Sequence, residues 1–141
     1  MNDRHRARRL ALQGLCSLDV QGEKVMDLVV DFIKDSEEGL DIVTDARAML
    51  KGAWDDRPTC DKLLTAHARN WDLARLAMVD RNILRLAVHE MLTLKLSPNI
   101  VITEALHLAR EFSTAESPRF INGVLDAVGK DIAGQTAPEA S

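Results

Sequence analysis

Apolar residues in this chain recur at three- and four-residue steps almost from end to end, and no stretch alternates with a period of two. That pattern confines the chain to helices, each with one face to bury, and argues against a sheet. Composition agrees: alanine and leucine dominate an apolar fraction of 46%, and aromatics are only 4% with no tyrosine. A chain of 141 residues can bury roughly two thirds of its unfolded surface, enough for a core without cross-links. The charged fraction of 28% is that of an ordinary folded domain.

The pattern divides into about seven helices. Residues 4–19 place Ala7, Leu10, Ala11, Gly14, Leu15 and Leu18 on one face, and Gln21-Gly22 stops them. Helices over about 24–35 and 41–55 follow. Arg57-Pro58-Thr59 breaks the chain, with Thr59 as a cap for a short helix to Ala68. After an Asn70-Trp71-Asp72 connector, the longest pattern runs from Leu73 to Leu96 as a central helix, with Arg81, Asn82, Arg85 and His89 opposite its apolar arc. Asp80 and Glu90 lie on that arc, where an unpartnered carboxylate is costly; a restart at Asp80 would make it a first-turn acid. Ser97-Pro98 and Ser117-Pro118 each open a further helix, the first ending at Phe112 and the second passing Ile132.

The expected architecture is all-α, two small packed helical bundles sharing one core. Residues 1–133 form a single domain, with an N-terminal bundle over about 4–68 and a C-terminal one over about 71–133; residues 134–141 form a flexible tail.

Charge is unevenly spread. The net charge is −4, which excludes a uniformly basic nucleic-acid binder. Residues 1–9, however, carry Arg4, Arg6, Arg8 and Arg9 against Asp3 alone, whereas residues 19–45 carry nine acids against two lysines. A helix start disfavours arginines, and a phosphate partner is one reason to keep them there; a solvated helix end is the plainer reading. Arg119-Phe120 and Asn122 at the start of the last helix are a second candidate, since an exposed ring can stack on a base and an amide can read its edge. Phe120 at helical spacing from Val124 suits the core better. Gly123, inside the same helix, implies a close backbone neighbour: a packed helix first, an RNA backbone second.

Catalysis finds little support. The four histidines fall on four different helices, no pair has the i, i+4 spacing of a helical metal site, and the glycines are too isolated for a phosphate loop. His89 reads as a surface or half-buried hydrogen-bonding residue. Cys16, beside the first apolar stripe, reads as a small buried thiol rather than a nucleophile, and with Cys60 it allows no disulfide framework or four-cysteine zinc site. No enzymatic activity, metal or cofactor is expected. With no membrane-spanning run and no signal-peptide pattern, the protein is expected in the cytoplasm.

Five segments in order resemble one family: RARRLALQGL (Arg6 to Leu15), VDRNILRLAVHEML (Val79 to Leu92), the segment from Pro98 to Ala105, LAREF (Leu108 to Phe112) and FINGVLD (Phe120 to Asp126). Together they are similar to the bacterial transcription antitermination factor NusB, most specifically in the FINGVLD block after a Ser-Pro helix start. The resemblance implies an all-helical binding protein that pairs with NusE, a small-subunit ribosomal protein, and grips the single-stranded boxA element of nascent RNA. The assembly acts on the transcription elongation complex, notably in ribosomal RNA operons. It also implies RNA contacts at Arg4, Arg6, Arg8 and Arg9, an RNA surface or its support at Phe120 and Asn122, and a NusE-facing region around Cys16 and Asp80. Departures are Cys16 where an aromatic is common, His89 for tyrosine and Thr103 for asparagine.

Two other readings compete: the RNA-binding domain of a ribosomal RNA cytosine methyltransferase, for which no glycine-rich cofactor unit follows here, and a helical interaction module or homodimer without RNA binding. A hydrolase using histidine and cysteine is a third.

Overall fold

In the computed structural model, residues 2–68, 76–94 and 96–136 are described, and among them every regular element is helical. The seven helices are α1 (Asp3–Gln21), α2 (Met26–Lys34), α3 (Leu40–Asp55), α4 (Arg57–His67), α5 (Met78–Thr93), α6 (Pro98–Phe112) and α7 (Ser117–Thr136), with a 3-10 turn at Glu23–Val25. α1 packs on α2 and α3, α6 and α7 pack on each other and on α5, and α1 lies against α5, joining the two groups. Their apolar faces meet in one core, with Leu12, Leu15, Leu50, Leu84, Leu108 and Leu125 each sealed from solvent.

The helix ends show which local signals act. Asn2 caps α1, its side-chain oxygen accepting from the His5 N–H at 2.7 Å, and Gly22 ends α1 at φ +85°, a left-handed position that suits glycine. Pro58 and Pro98 sit in first turns, where the missing N–H costs nothing. α4 starts at Arg57, before the expected cap Thr59. The two Ser-Pro pairs differ in what their hydroxyls do. Ser97 makes no side-chain cap bond, and Ser117 donates to Asp80 at 2.9 Å.

The central helix is shorter and more enclosed than its periodicity suggests. α5 begins at Met78 with Asp80 in its first turn, the restart position. The expected connector Asn70-Trp71-Asp72 and the tail from 137 on lie outside the described residues; α7 itself continues to Thr136. Asn82, Arg85 and His89, expected on a polar side, are buried. The reason is that α1, α3 and α4 cover that side and supply each polar group with a partner. Asn82 donates to Asp19, Arg85 donates twice to Asp61 at 2.8 and 2.9 Å, and His89 Nδ1 meets Asp56 at 2.8 Å.

Among the described residues Gly123 does not make the expected close approach: a Cβ there would meet none of them within 4 Å. The glycines that admit neighbours are Gly14 against Leu50 and Val29, Gly52 against the His89 ring, and Gly129 against Pro98.

Candidate nucleic-acid interface

The four arginines at the start of α1 divide into one that is locked and three that face solvent. Arg8 is 3% exposed, its Nε donating to both oxygens of Glu90 at 3.0 Å and its Nη2 to Oε1 at 2.8 Å; Nη1 lies 3.5 Å from Glu104. This corrects the expectation for Arg8, because a guanidinium forked onto a buried carboxylate has no face left for a phosphate. It also explains Glu90 on an apolar arc: the acid of α5 and the base of α1 are buried together, where either alone would be costly.

Arg4, Arg6 and Arg9 keep about two fifths of their side chains exposed. Their acidic neighbours are Glu90 at 3.9 Å, Glu38 at 3.7 Å and Glu111 at 3.2 Å, and Arg9 also stacks over Phe112 at 5.6 Å. The Arg6–Glu38 and Arg9–Glu111 pairs are partly exposed and worth about 0–1 kcal/mol, so a phosphate can replace either carboxylate at little cost. Glu90 beside Arg4, by contrast, is buried and already held by Arg8. Glu38 comes from the acidic stretch, so the two oppositely charged segments meet in the folded protein.

A second group is assembled by Asp80. Its carboxylate oxygens accept from the hydroxyls of Ser113 at 2.6 Å and Ser117 at 2.9 Å, which ties the start of α5 to the turn between α6 and α7. Arg119 and Asn122 are exposed on the first turns of α7, whereas Phe120 is half-buried and packs on the core. Arg119, Phe120 and Gly123 line an open groove of about 970 Å³, together with His67, Asp80 and Ser117. Phe112, beneath Arg9, directly precedes Ser113, so the end of α6 leads from the arginine arm towards this groove.

Cys16 and Asp80 lie at the same end of α5. Burial, with Asp19 next, pushes the Cys16 thiol up to about 11, although Arg81 and an Asn82 hydrogen bond oppose that rise. Burial and the carboxylates of Asp56 and Asp61 push Cys60 up to about 12. Neither thiol carries the thiolate a nucleophile needs. Asp80 is itself buried, so a partner arriving at this end meets the residues around it more than its carboxylate.

One grouping has no local signature in the sequence. His5 of α1 is buried between Glu104 and Glu111 of α6, with His107 edge-on at 5.9 Å between ring centroids. The only nearby cue is the three-residue step from Glu104 to His107; their partner is 99 residues away from Glu104.

Fold and surface together describe a small all-helical protein whose first helix presents three partly exposed arginines at its start. The chain belongs to the NusB family, whose model matches residues 5–130. It is 35% identical over 132 residues to the transcription antitermination protein NusB of a Nitratiruptor species, covering 94% of this chain and 95% of that one. The solved structure of T. maritima NusB superposes with a TM-score of 0.83 at 30% identity, covering 91% of each chain. A chain from the crystal structure of antitermination factors NusB and NusE in complex with dsRNA superposes with a TM-score of 0.78 at 28% identity, covering 93% of this chain and 98% of that one. No helix among the described residues is long and apolar enough to cross a membrane.

Proposed function

We propose that this protein is a transcription antitermination factor that binds RNA jointly with NusE, and that its preferred RNA is the single-stranded boxA element of ribosomal RNA operons. It works on the transcription elongation complex in the cytoplasm and carries out no chemical step. The observation that carries the reading is the exposure of Arg4, Arg6 and Arg9 on a helix start whose position Arg8 fixes from inside. Phosphates held by these three set register, and Arg119 and Asn122 extend the contact towards the groove. Phe120 supports that surface from the core side. NusE docks at the opposite end of α1, around Cys16, where Asp80 acts by holding the α6–α7 turn.

With a net charge of −4, the protein alone should bind RNA weakly. A cationic partner lengthens the positive track, and the two binding events then reinforce each other. The test is a titration of labelled single-stranded boxA RNA, with and without NusE, over a range of salt. Arg6→Ala with Arg9→Ala, which face the same side of α1, should weaken binding and flatten the salt dependence by roughly 0.7 per lost phosphate contact. Unchanged affinity and slope would remove the arm from the RNA site. A second reading, a protein-interaction module, is favoured by the exposed apolar Val20, Leu28 and Phe32. It is supported if no single strand binds at low salt even with NusE.

A further inference from the structure

We propose that His5, Glu104 and His107 form a binding site for a divalent transition metal of the zinc type, pinning the start of α1 to α6. The three side chains offer donor atoms that all lie within 4.8 Å of one another. Glu104 Oε2 is 3.4 Å from His5 Nδ1 and 3.8 Å from His107 Nδ1. Ligands on a tetrahedral zinc at about 2.0–2.1 Å stand roughly 3.3 Å apart, so closing the site takes only small side-chain shifts. His107 is half exposed and free to make the larger one.

The tautomer of His5 supplies the second argument. Its Nε2 meets a Glu111 oxygen, the carboxylate–histidine contact that orients metal-binding imidazoles. With the proton on Nε2, the Nδ1 lone pair faces the Glu104 carboxylate across 3.4 Å. In that tautomer the two facing electron pairs leave a place for a cation between them. A proton satisfies His5 and Glu104 alone, whereas a metal also uses His107, which converges on the same oxygen. Two imidazoles and one carboxylate make a zinc donor set with a fourth position open to solvent. Arg8 Nη1 also approaches Glu104 Oε2, at 3.5 Å; a metal takes over that oxygen while Glu90 keeps Arg8 neutralised.

The test needs no RNA, so its outcome is independent of the antitermination reading. The full chain, made without a polyhistidine tag and stripped with chelator, is titrated with zinc by calorimetry and with cobalt(II) by visible absorption. The expected result is one equivalent bound, with the intense bands of four-coordinate cobalt and a Tm that rises with zinc. His107→Ala, at a half-exposed position that the fold tolerates, should lower affinity at least tenfold and abolish the Tm rise. Glu111→Gln should lower affinity about tenfold through the orientation of His5. His67→Ala, which removes a separate histidine–carboxylate pair with Asp131, should change neither. No saturable binding, or equal affinity in His107→Ala with circular dichroism unchanged, overturns the site and assigns the His5–Glu104 gap to a proton.

Discussion

Within one turn of α1, Arg8 is sealed against Glu90 while Arg6 and Arg9 hold their carboxylates at the surface. The same side chain thus does two kinds of work according to burial. Removing one member of a buried, hydrogen-bonded pair strands the other charge, at a cost of about 3–5 kcal/mol. Arg8→Ala should therefore lower stability by that order in urea denaturation, whereas Arg6→Ala should change it by less than about 1 kcal/mol. Replacing both members with apolar residues of similar size, Arg8→Met with Glu90→Leu, should recover most of the loss, because no charge is then left buried. A small effect for Arg8→Ala would mean that water reaches the pair and that Arg8 is open to ligands after all.

At the scale of elements, helix crossings depend on small residues whose close neighbours periodicity does not reveal. A Cβ on Gly52 of α3 would fall 2.5 Å from His89 Cε1 and 2.6 Å from Nε2, and the ring cannot easily retreat because Asp56 holds its Nδ1. Gly52→Ala should thus lower Tm through about 1–3 kcal/mol of overpacking, despite its better helix propensity. Gly123→Ala, where a Cβ meets no described residue, should raise stability by up to about 1 kcal/mol. An increase in Tm for Gly52→Ala would show that α3 and α5 are not in such close contact. The contrast marks what the sequence could and could not reveal. Helix spans and apolar faces were legible because they follow from spacing within one segment. The destination of a polar residue was not: Asn82, Arg85 and His89 look solvated on their own helix and are buried because α1, α3 and α4 bring acids to them. For the same reason Arg8 was indistinguishable from its neighbours, and the His5–Glu104–His107 grouping was invisible at a separation of about a hundred residues.

Across the whole molecule, the acids that give the chain its net negative charge are partly structural. Asp19 of α1 accepts from Arg81 Nε and Asn82 Nδ2, each at 2.9 Å, and lies 3.4 Å from Arg85, which is forked onto Asp61 of α4. One network therefore ties α1, α5 and α4 together. Burial pushes the Asp19 carboxyl up, but the hydrogen bonds from Arg81 and Asn82 and the charges of Arg81 and Arg85 outweigh it and hold it below its ordinary 3.8. Burial pulls Arg85 the other way, yet Asp61 and Asp19 raise it above its usual value, so it stays charged throughout. Because the folded Asp19 binds its proton less readily than the unfolded one, its contribution is complete above the unfolded value. It disappears as pH falls through the folded value, with stability rising with pH between the two. Urea midpoints measured from pH 6 down to pH 2.5 should fall more steeply in the wild type than in Asp19→Asn, which has no proton to gain there. The wild type's advantage should shrink towards the acid end. Parallel curves would mean that Asp19 titrates alike folded and unfolded, and that its bonds to Arg81 and Asn82 add nothing to the join between α1 and α5.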